Sequence, residues 1–157
     1  MRITLMMVGE TRTDWVKLGE KEYLNRINRY IKFDTEIIPD IRTQKKIEQV
    51  VQKKLEGESI ITRLLTGDRV ILLDENGQEM KSREFSAYLD KFMVSGIKRL
   101  VFVIGGPYGF SDEVYKRADG KISMSKLTFP HELIRVLFLE QVYRAFTIQK
   151  NEPYHHD

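Results

Sequence analysis

Three segments of the chain combine residue types that could bind a small molecule. They are Asp74–Gly77, the glycine cluster Gly105, Gly106 and Gly109, and the loop Ser123–Pro130 with the sequence SMSKLTFP. Glycine tolerates positive φ and lets a ligand approach bare backbone. A loop of Ser, Lys, Thr and small apolar residues offers backbone hydrogen-bonding groups around an apolar slot. Such a slot suits an adenine ring, which needs flat apolar walls and a few backbone hydrogen bonds.

Each segment also has a simpler interpretation when it is taken alone. The glycines follow the pattern G-G-P-x-G rather than G-x-G-x-x-G, and the next helix starts only at Ser111. This spacing disfavours a pyrophosphate site on a helix N-terminus and fits an ordinary tight turn. SMSKLTFP likewise fits a plain loop that leads into a helix at Pro130.

An alternation of strands and helices is expected to bring the three segments to one edge of a parallel sheet. Strands are predicted at 2–8, 31–38, 69–73, 100–104 and 121–125, and helices at 14–28, 45–65, 82–94, 112–117 and 130–149. The runs RVILL and LVFVI are nearly all apolar, which is typical of strands covered on both faces. The pattern predicts an α/β three-layer sandwich with a mostly parallel sheet, in which ligands bind at the carboxyl ends of the strands.

Apolar spacing within the helices predicts which faces are buried. The first helix, with Thr13 as its cap, has an apolar face made of Trp15, Leu18, Leu24 and Ile27. The second helix has a stripe made of Ile47, Val50, Val51, Leu55 and Ile61, with Glu56 among the residues expected to face water. Residues 74–77 are expected to form a turn, and residues 39–46 a short loop.

The last predicted helix, up to Gln149, is apolar on more than one face. A helix that is apolar nearly all round must be buried on several sides. It could lie deep in the monomer or across a dimer interface. We favour a homodimer because the chain has few other elements left to cover this helix.

Composition and length exclude several classes of protein. The 157 residues are 41% apolar and 31% charged, which predicts one soluble globular domain over residues 1–157. The absence of cysteine excludes disulfide scaffolds, thiol nucleophiles and Cys-ligated zinc. The longest apolar run, Leu100–Ile104, is far too short to span a bilayer, and no charged leader with an apolar stretch opens the chain. We therefore expect a cytoplasmic protein with no membrane partner.

The net charge of +3 is concentrated in the first 69 residues, which carry 14 basic and 11 acidic groups. This excess is compatible with a polyanionic partner, although from charge alone a solvated surface of mixed sign is the simpler interpretation. Five basic residues in or just after the first helix could form a phosphate-facing patch: Lys17, Lys21, Arg26, Arg29 and Lys32. Each of them singly also fits a solvated helix face.

The three histidines give no clear metal site. His131 lies at a helix start, where a protonated imidazole is disfavoured and a neutral hydrogen-bonding role is the simpler one. His155, His156 and Asp157 resemble a metal cluster by composition, but three adjacent residues do not easily form a tetrahedral site. We predict that the protein binds no metal.

Several segments together resemble a known family of RNA-modifying enzymes. They are VFVIGGPYGFSDEV, SMSKLTFPHELIRVLFLEQVYRAF and the tail NEPYHHD, with ITLMMVGE and DWVKLGEKEYLNRI near the start. Over essentially the whole chain they resemble the ribosomal large subunit methyltransferase H family, a minimal member of the SPOUT class of S-adenosylmethionine-dependent RNA methyltransferases. The resemblance implies a C-terminal trefoil knot, which is a rare feature that composition and periodicity could not reveal. It also implies a homodimer that methylates N3 of a pseudouridine in the helix 69 loop of 23S ribosomal RNA, within the assembled ribosome.

The resemblance also implies which residues bind the methyl donor. Leu73 and Gly105 would contact it, and a loop would surround its adenosine: Met124, Ser125, Lys126, Leu127, Thr128 and Phe129. Our candidates for assisting the loss of the N3 proton are Arg144, Tyr154 and His155. Arg144 could instead bind a phosphate or a carbonyl of a partner subunit, or act as a structural arginine at an interface. Tyr143 is expected to have a packing role rather than a chemical one. His131 is expected to help orient the surrounding structure.

Three other functions stay open on the sequence. The chain could be a non-catalytic α/β module that binds a nucleotide or a flavin. It could be a ribosome-associated factor that has the fold without the activity. It could also be a SPOUT methyltransferase with a different RNA specificity, such as a ribose 2′-hydroxyl.

Overall fold

The densest apolar runs of the sequence form the strands of a single sheet. The computed structural model describes residues 1–41 and 48–156 of the chain. The strands in this part are β1 (Arg2–Val8), β2 (Phe33–Ile38), β3 (Arg69–Glu79), β4 (Arg99–Ile104) and β5 (Gly120–Ser123). The helices are α1 (Asp14–Ile27), α2 (Gln49–Arg63), α3 (Ser82–Val94), α4 (Asp112–Arg117) and α5 (Leu133–Gln149).

All neighbouring strands of the sheet are parallel, and their order is β2-β1-β4-β3-β5. In the register, Ile104 of β4 lies opposite Met7 of β1 on one side and Leu73 of β3 on the other. The carboxyl ends of the three central strands are therefore level with one another. The predicted α/β class and parallel sheet are confirmed, and the loops that follow these strands share one edge.

The sheet lies between two layers of helices. On one face α5 packs between α1 and α3, and this layer shares a core with Leu5 and Phe102 of the sheet. On the other face α2 and α4 pack over a second core that includes Met6 and Val103. Since side chains alternate along a strand, β1 and β4 supply apolar groups to both cores. The three-layer sandwich predicted from the sequence is confirmed, whereas the trefoil knot stays a prediction.

The turn predicted at residues 74–77 is wrong, because β3 continues through this stretch to Glu79. The pairing of β3 with β5 shifts in register between Leu73 and Gln78, as in a bulged strand. Asp74 accepts a hydrogen bond from the N–H of Asn76 at 2.8 Å, a local contact that is also typical of turns. The residue types that predicted a turn therefore form an irregularity inside a strand.

The buried face predicted for α1 is partly wrong. Trp15 and Leu18 are 60% and 69% exposed, whereas Val16 and Ile27 are buried. Thr13 does stand at the N-cap, but its side chain makes no capping hydrogen bond. Its N–H instead donates to a carboxylate oxygen of Glu132 at 3.0 Å. Contacts with α5 thus decide how α1 sits on the sheet.

The buried face predicted for α2 is also partly wrong, although Ile61 does pack against the second core. Val50 and Val51 are exposed, and Glu56, which was expected to face water, is only 2% exposed. The physical reason is that α2 packs closely on α4. A Cβ at Gly57 would lie 2.2 Å from Oγ of Ser111, so only glycine permits this approach. Residues 45–47 of the predicted helix, with Ile47, and most of the predicted loop lie outside the described residues.

Most other boundaries differ from the prediction by only a few residues. α3 has the predicted bounds, and Ser111 caps α4 as expected by accepting the N–H of Val114 at 3.4 Å. β2 begins two residues later than predicted, at Phe33, and β5 ends two residues earlier, at Ser123. α5 begins at Leu133 rather than at Pro130. Within the described residues, no helix is long and apolar enough to cross a membrane.

Candidate functional site

A cleft of about 480 Å³ lies at the carboxyl edge of the sheet. Leu73 and Ile104, the final residues of the regular pairing between β3 and β4, contribute to its lining. The remaining walls come from residues 74–76, the turn 105–110, Tyr115, the loop 123–129 after β5, and the residues that lead into α5. The three segments selected from the sequence therefore do meet at one site.

Seven of the eight residues predicted to contact a donor line this cleft: Leu73, Gly105, Met124, Ser125, Leu127, Thr128 and Phe129. The eighth, Lys126, is exposed and is not part of the lining. The serines of the loop hold its shape. Ser123 donates its hydroxyl to the carbonyl of Ser125 at 3.0 Å, and the Ser125 hydroxyl accepts the N–H of Leu127 at 3.0 Å.

The backbone of the glycine turn lies close against buried side chains. Gly109 has φ +77° and donates its N–H to the carbonyl of Gly106 at 3.2 Å. A Cβ at Gly106 would come within 2.4 Å of the buried carboxylate of Glu56. Glu56 in turn accepts a hydrogen bond from Nε2 of Gln52 at 2.9 Å. No local pattern indicates this contact, because the helical spacing of α2 predicts a solvated Glu56.

The polar side of the cleft is acidic. Asp74 and Glu75 line it, whereas no Lys or Arg does so among the described residues. Tyr115 donates its hydroxyl to Oδ2 of Asp74. Burial, followed by this hydrogen bond, raises the pKa of Tyr115 to about 12, so the phenol stays neutral. The lining therefore favours a ligand that carries positive charge.

The residues before α5 are fastened to the loop that follows β1. Glu132 accepts the N–H groups of Arg12 and Thr13, both at 3.0 Å. A hydrogen bond from the Thr13 side chain, together with these two N–H groups, lowers the pKa of Glu132 to about 2. The fully buried Arg135 donates to the carbonyl of Val8 at 2.8 Å and to Oγ1 of Thr11 at 2.7 Å. These contacts fix the α5 end of the cleft, where His131 and Ile134 belong to the lining.

The three candidate catalytic residues lie outside the cleft but close to one another. Arg144 points Nη1 at Nδ1 of His155, 3.3 Å away, and its guanidinium lies 4.9 Å from the ring centroid of Tyr154. The hydroxyl of Tyr154 donates to Oε1 of Glu140 at 3.1 Å. We call Glu140, Arg144, Tyr154 and His155 the tail cluster. Glu140 was missed in the sequence, although its spacing of four residues from Arg144 is that of a helical ion pair.

Electrostatics constrain what the tail cluster can do. Burial, and then a hydrogen bond involving Tyr23, raises the pKa of Tyr154 well above its ordinary value. Tyr154 is therefore a hydrogen-bond donor rather than a base at neutral pH. The hydrogen bond to Glu140 raises the pKa of Arg144, which stays a cation. Among the described residues, no group of three His, Asp or Glu side chains is arranged to hold a metal ion, and the lack of a metal stays a prediction.

Comparison with known proteins assigns this fold and site to a class. A family model described as a predicted SPOUT methyltransferase matches residues 1–155. Three similar proteins are each named ribosomal RNA large subunit methyltransferase H. The one from Christiangramia forsetii is 54% identical over 99% of both chains, and the one from Parabacteroides distasonis is 52% identical over 100% of both. The one from Flavobacterium psychrophilum is 53% identical over 99% of both.

The match over nearly the whole chain confirms the resemblance found in the sequence. The chain belongs to the ribosomal RNA large subunit methyltransferase H family, within the SPOUT class of methyltransferases.

Proposed function

We propose that this protein transfers a methyl group from S-adenosylmethionine to N3 of a pseudouridine in the helix 69 loop of 23S ribosomal RNA, within the assembled ribosome. The observation that carries the proposal is the cleft built by three loops at the carboxyl edge of the sheet, in a chain of this family. The names of the relatives support a large-subunit ribosomal RNA as the substrate. Because the proposed substrate is the ribosome, we also propose that the protein is cytoplasmic.

The residues of the cleft fit the donor. Apolar side chains such as Leu73 and Phe129 provide flat walls for adenine, and the backbone of Gly105 and of loop 124–129 provides hydrogen-bonding groups. Lys126 is not part of the lining, so its contact with the donor stays a prediction. Asp74 and Glu75 favour the positive charge of a sulfonium. When bound, S-adenosylmethionine supplies an electrophilic methyl group that must be aligned with the accepting nitrogen.

The chain's own residues must position the accepting base and assist the loss of its N3 proton. The hydroxyl of Tyr154 donates its one hydrogen to Glu140, so we assign its oxygen to accept a hydrogen bond from an N–H of the base rather than to remove a proton. Arg144 is a cation that would stabilise the deprotonated base. Alignment of the methyl group with the accepting nitrogen can lower the barrier by several kcal/mol, up to about 7–11 in ideal cases. Nδ1 of His155 accepts from Arg144, which leaves Nε2 as an N–H donor, so we assign His155 a hydrogen bond to the deprotonated base and let the N3 proton pass to water.

We further propose that the protein works as a homodimer. The tail cluster does not line the cleft of its own chain, so a second copy is needed to bring a tail cluster to each cleft. Trp15 lies one helical turn before Gly19, which packs against Val136 of α5, and Leu18 lies one turn after Trp15. Both side chains are large, apolar and exposed, and they extend a half-buried apolar surface of α5. This surface is our proposed dimer interface.

Basic residues near α1 are our proposed contacts for the RNA backbone. Lys17, Lys21, Arg29 and Lys32 are exposed. Lys17 pairs with Asp14 at 3.7 Å, and Arg26 pairs with Glu22 at 2.6 Å. A patch of this size contributes affinity without sequence specificity. The shape of the ribosome must therefore supply most of the recognition.

Methyl transfer to ribosomes that lack the modification tests the proposal. With labelled S-adenosylmethionine, we expect label in a single 23S nucleotide, and mass spectrometry should place the methyl group on N3 of a pseudouridine. A methyl group on a ribose 2′-hydroxyl would show a different SPOUT specificity. Binding of S-adenosylhomocysteine without transfer would indicate a non-catalytic ribosome factor. Preference for FMN or NAD over S-adenosylhomocysteine would indicate another nucleotide-binding module.

A further inference from the structure

A single carboxylate joins the members of the tail cluster. Oε1 of Glu140 accepts hydrogen bonds from Nε of Arg144 at 3.0 Å, from Nη2 of Arg144 at 2.5 Å and from the hydroxyl of Tyr154 at 3.1 Å. Its second oxygen, Oε2, accepts a hydrogen bond from Nε2 of Gln141 at 2.6 Å. Glu140 thus contacts two of the three candidate catalytic residues directly.

The same contacts control where the third residue lies. Because Nε and Nη2 of Arg144 are held by Glu140, Nη1 is left to face Nδ1 of His155 at 3.3 Å. The guanidinium plane is also held against the ring of Tyr154. Hydrogen bonds between charged groups are about twice as strong as neutral ones, and this pair is largely shielded from water. Removing the charge of Glu140 would therefore free the guanidinium from its fixed orientation.

The tail itself has few backbone hydrogen bonds to hold it. After α5 ends at Gln149, the N–H of Glu152 donates to the carbonyl of Thr147, and the N–H of Tyr154 donates to the carbonyl of Glu152. Tyr154 also packs on Tyr143, with ring centroids 4.7 Å apart. The hydrogen bond from Tyr154 to Glu140 is the contact that links the tail to the ion pair between Glu140 and Arg144.

We propose that Glu140 is a positioning residue for methyl transfer. It fixes Arg144 and Tyr154, and through Arg144 it fixes His155, without touching donor or RNA. This inference rests on the proposed function. Since Glu140 does not line the donor cleft, its effect belongs to the transfer step and not to donor binding.

The first test replaces the carboxylate with a neutral group of the same shape. For Glu140→Gln we expect kcat to fall about 10- to 100-fold, because a small misplacement of reacting groups costs factors of this size. The Kd for S-adenosylhomocysteine, measured by calorimetry, should stay within about twofold of the unaltered protein. Glu58→Gln, at an exposed position on α2, is the matched control and should change neither quantity.

A double-mutant cycle separates positioning from a general structural role. Because Glu140 holds both Arg144 and Tyr154, Glu140→Gln should lower kcat less in an Arg144→Ala background than in the unaltered protein, and by less than about twofold when Tyr154→Phe is added. Glu140→Asp, which keeps the charge, should recover a large part of kcat. Full multiplication of the two single effects, or an Asp variant as slow as the Gln variant, would overturn the inference.

The outcomes also separate this inference from the proposed function. If the unaltered protein transfers no methyl group to ribosomes, the proposed function fails. If it does so and Glu140→Gln is equally fast, only the role of Glu140 fails. Weaker binding of S-adenosylhomocysteine in proportion to the loss of kcat would show that Glu140 supports the cleft instead, which also contradicts the proposal.

Discussion

The carboxylate of Glu132 should make the stability of the fold depend on pH. This carboxylate accepts two backbone N–H groups from the loop after β1, and its pKa is about 2 in the folded chain compared with an ordinary value of 4.5. A group whose pKa is lowered on folding stabilises the fold above its unfolded pKa. That contribution is lost as the pH falls toward the folded pKa.

We therefore predict a pH-dependent difference between the unaltered protein and Glu132→Gln. The unaltered protein should be the more stable of the two above pH 4.5, and the difference should shrink progressively as the pH falls to about 2. Thermal unfolding followed by circular dichroism over this range measures it. Parallel curves for the two proteins would contradict the assignment. Glu58→Gln, on the exposed face of α2, should show no such trend.

At the scale of elements, the irregular part of β3 determines the position of β5 and so of the loop 123–129 that follows it. The register shift between Leu73 and Gln78 lets β3 follow β5 on both sides of the irregularity. Gly77 makes this approach sterically allowed, since a Cβ there would lie 2.4–2.7 Å from backbone atoms of Ile122. Ile122 is followed directly by Ser123 and the loop that lines the cleft. A side chain at position 77 should therefore disturb both the sheet and the cleft.

For Gly77→Ala we predict destabilisation of about 2–3 kcal/mol, which is typical of overpacking against rigid backbone. Thermal unfolding should show this as a Tm lower by about 5–10 °C. S-adenosylhomocysteine should bind at least several-fold more weakly, because β5 must move away from β3. Gly67→Ala is the control, since a Cβ there meets no atom within 4 Å. Wild-type affinity in Gly77→Ala would show that the loop is placed independently of this strand pair.

At the scale of the whole molecule, the cleft and the tail cluster lie apart in one chain. Each cleft is formed by one chain, whereas our proposed mechanism requires a tail cluster from a second copy. The exposed side chains of Trp15 and Leu18 beside α5 are the surface that we assign to this contact. Dimerisation should therefore control methyl transfer while leaving donor binding largely unchanged.

We predict that Leu18→Glu dissociates the dimer, because it places a charge in an apolar contact. Sedimentation should then show a monomer, methyl transfer should fall at least 100-fold, and S-adenosylhomocysteine affinity should change less than about threefold. Val94→Glu introduces the same charge at an exposed apolar position on α3 and should leave all three measurements unchanged. A dimer with full activity in Leu18→Glu would exclude this interface.

The sequence by itself determined the class of fold and the location of the cleft. Apolar runs such as RVILL and LVFVI report burial on both faces of a sheet, and strand–helix alternation requires parallel strands with loops at one edge. Because these signals are local, they predicted most elements to within a few residues. The glycine cluster and the loop Ser123–Pro130 are recognisable for the same reason, since the unusual residue types lie next to one another in the chain.

Only the tertiary structure decided which charged groups are buried and which residues from distant segments meet. Glu56 looks like a surface residue until α2 packs behind the glycine turn, and Glu140 meets Tyr154 only because the tail folds back onto α5. The bulge in β3 depends on how closely β5 approaches it, which the residue types at 74–77 did not reveal. These features depend on contacts between residues far apart in sequence, whose free energies no local pattern encodes.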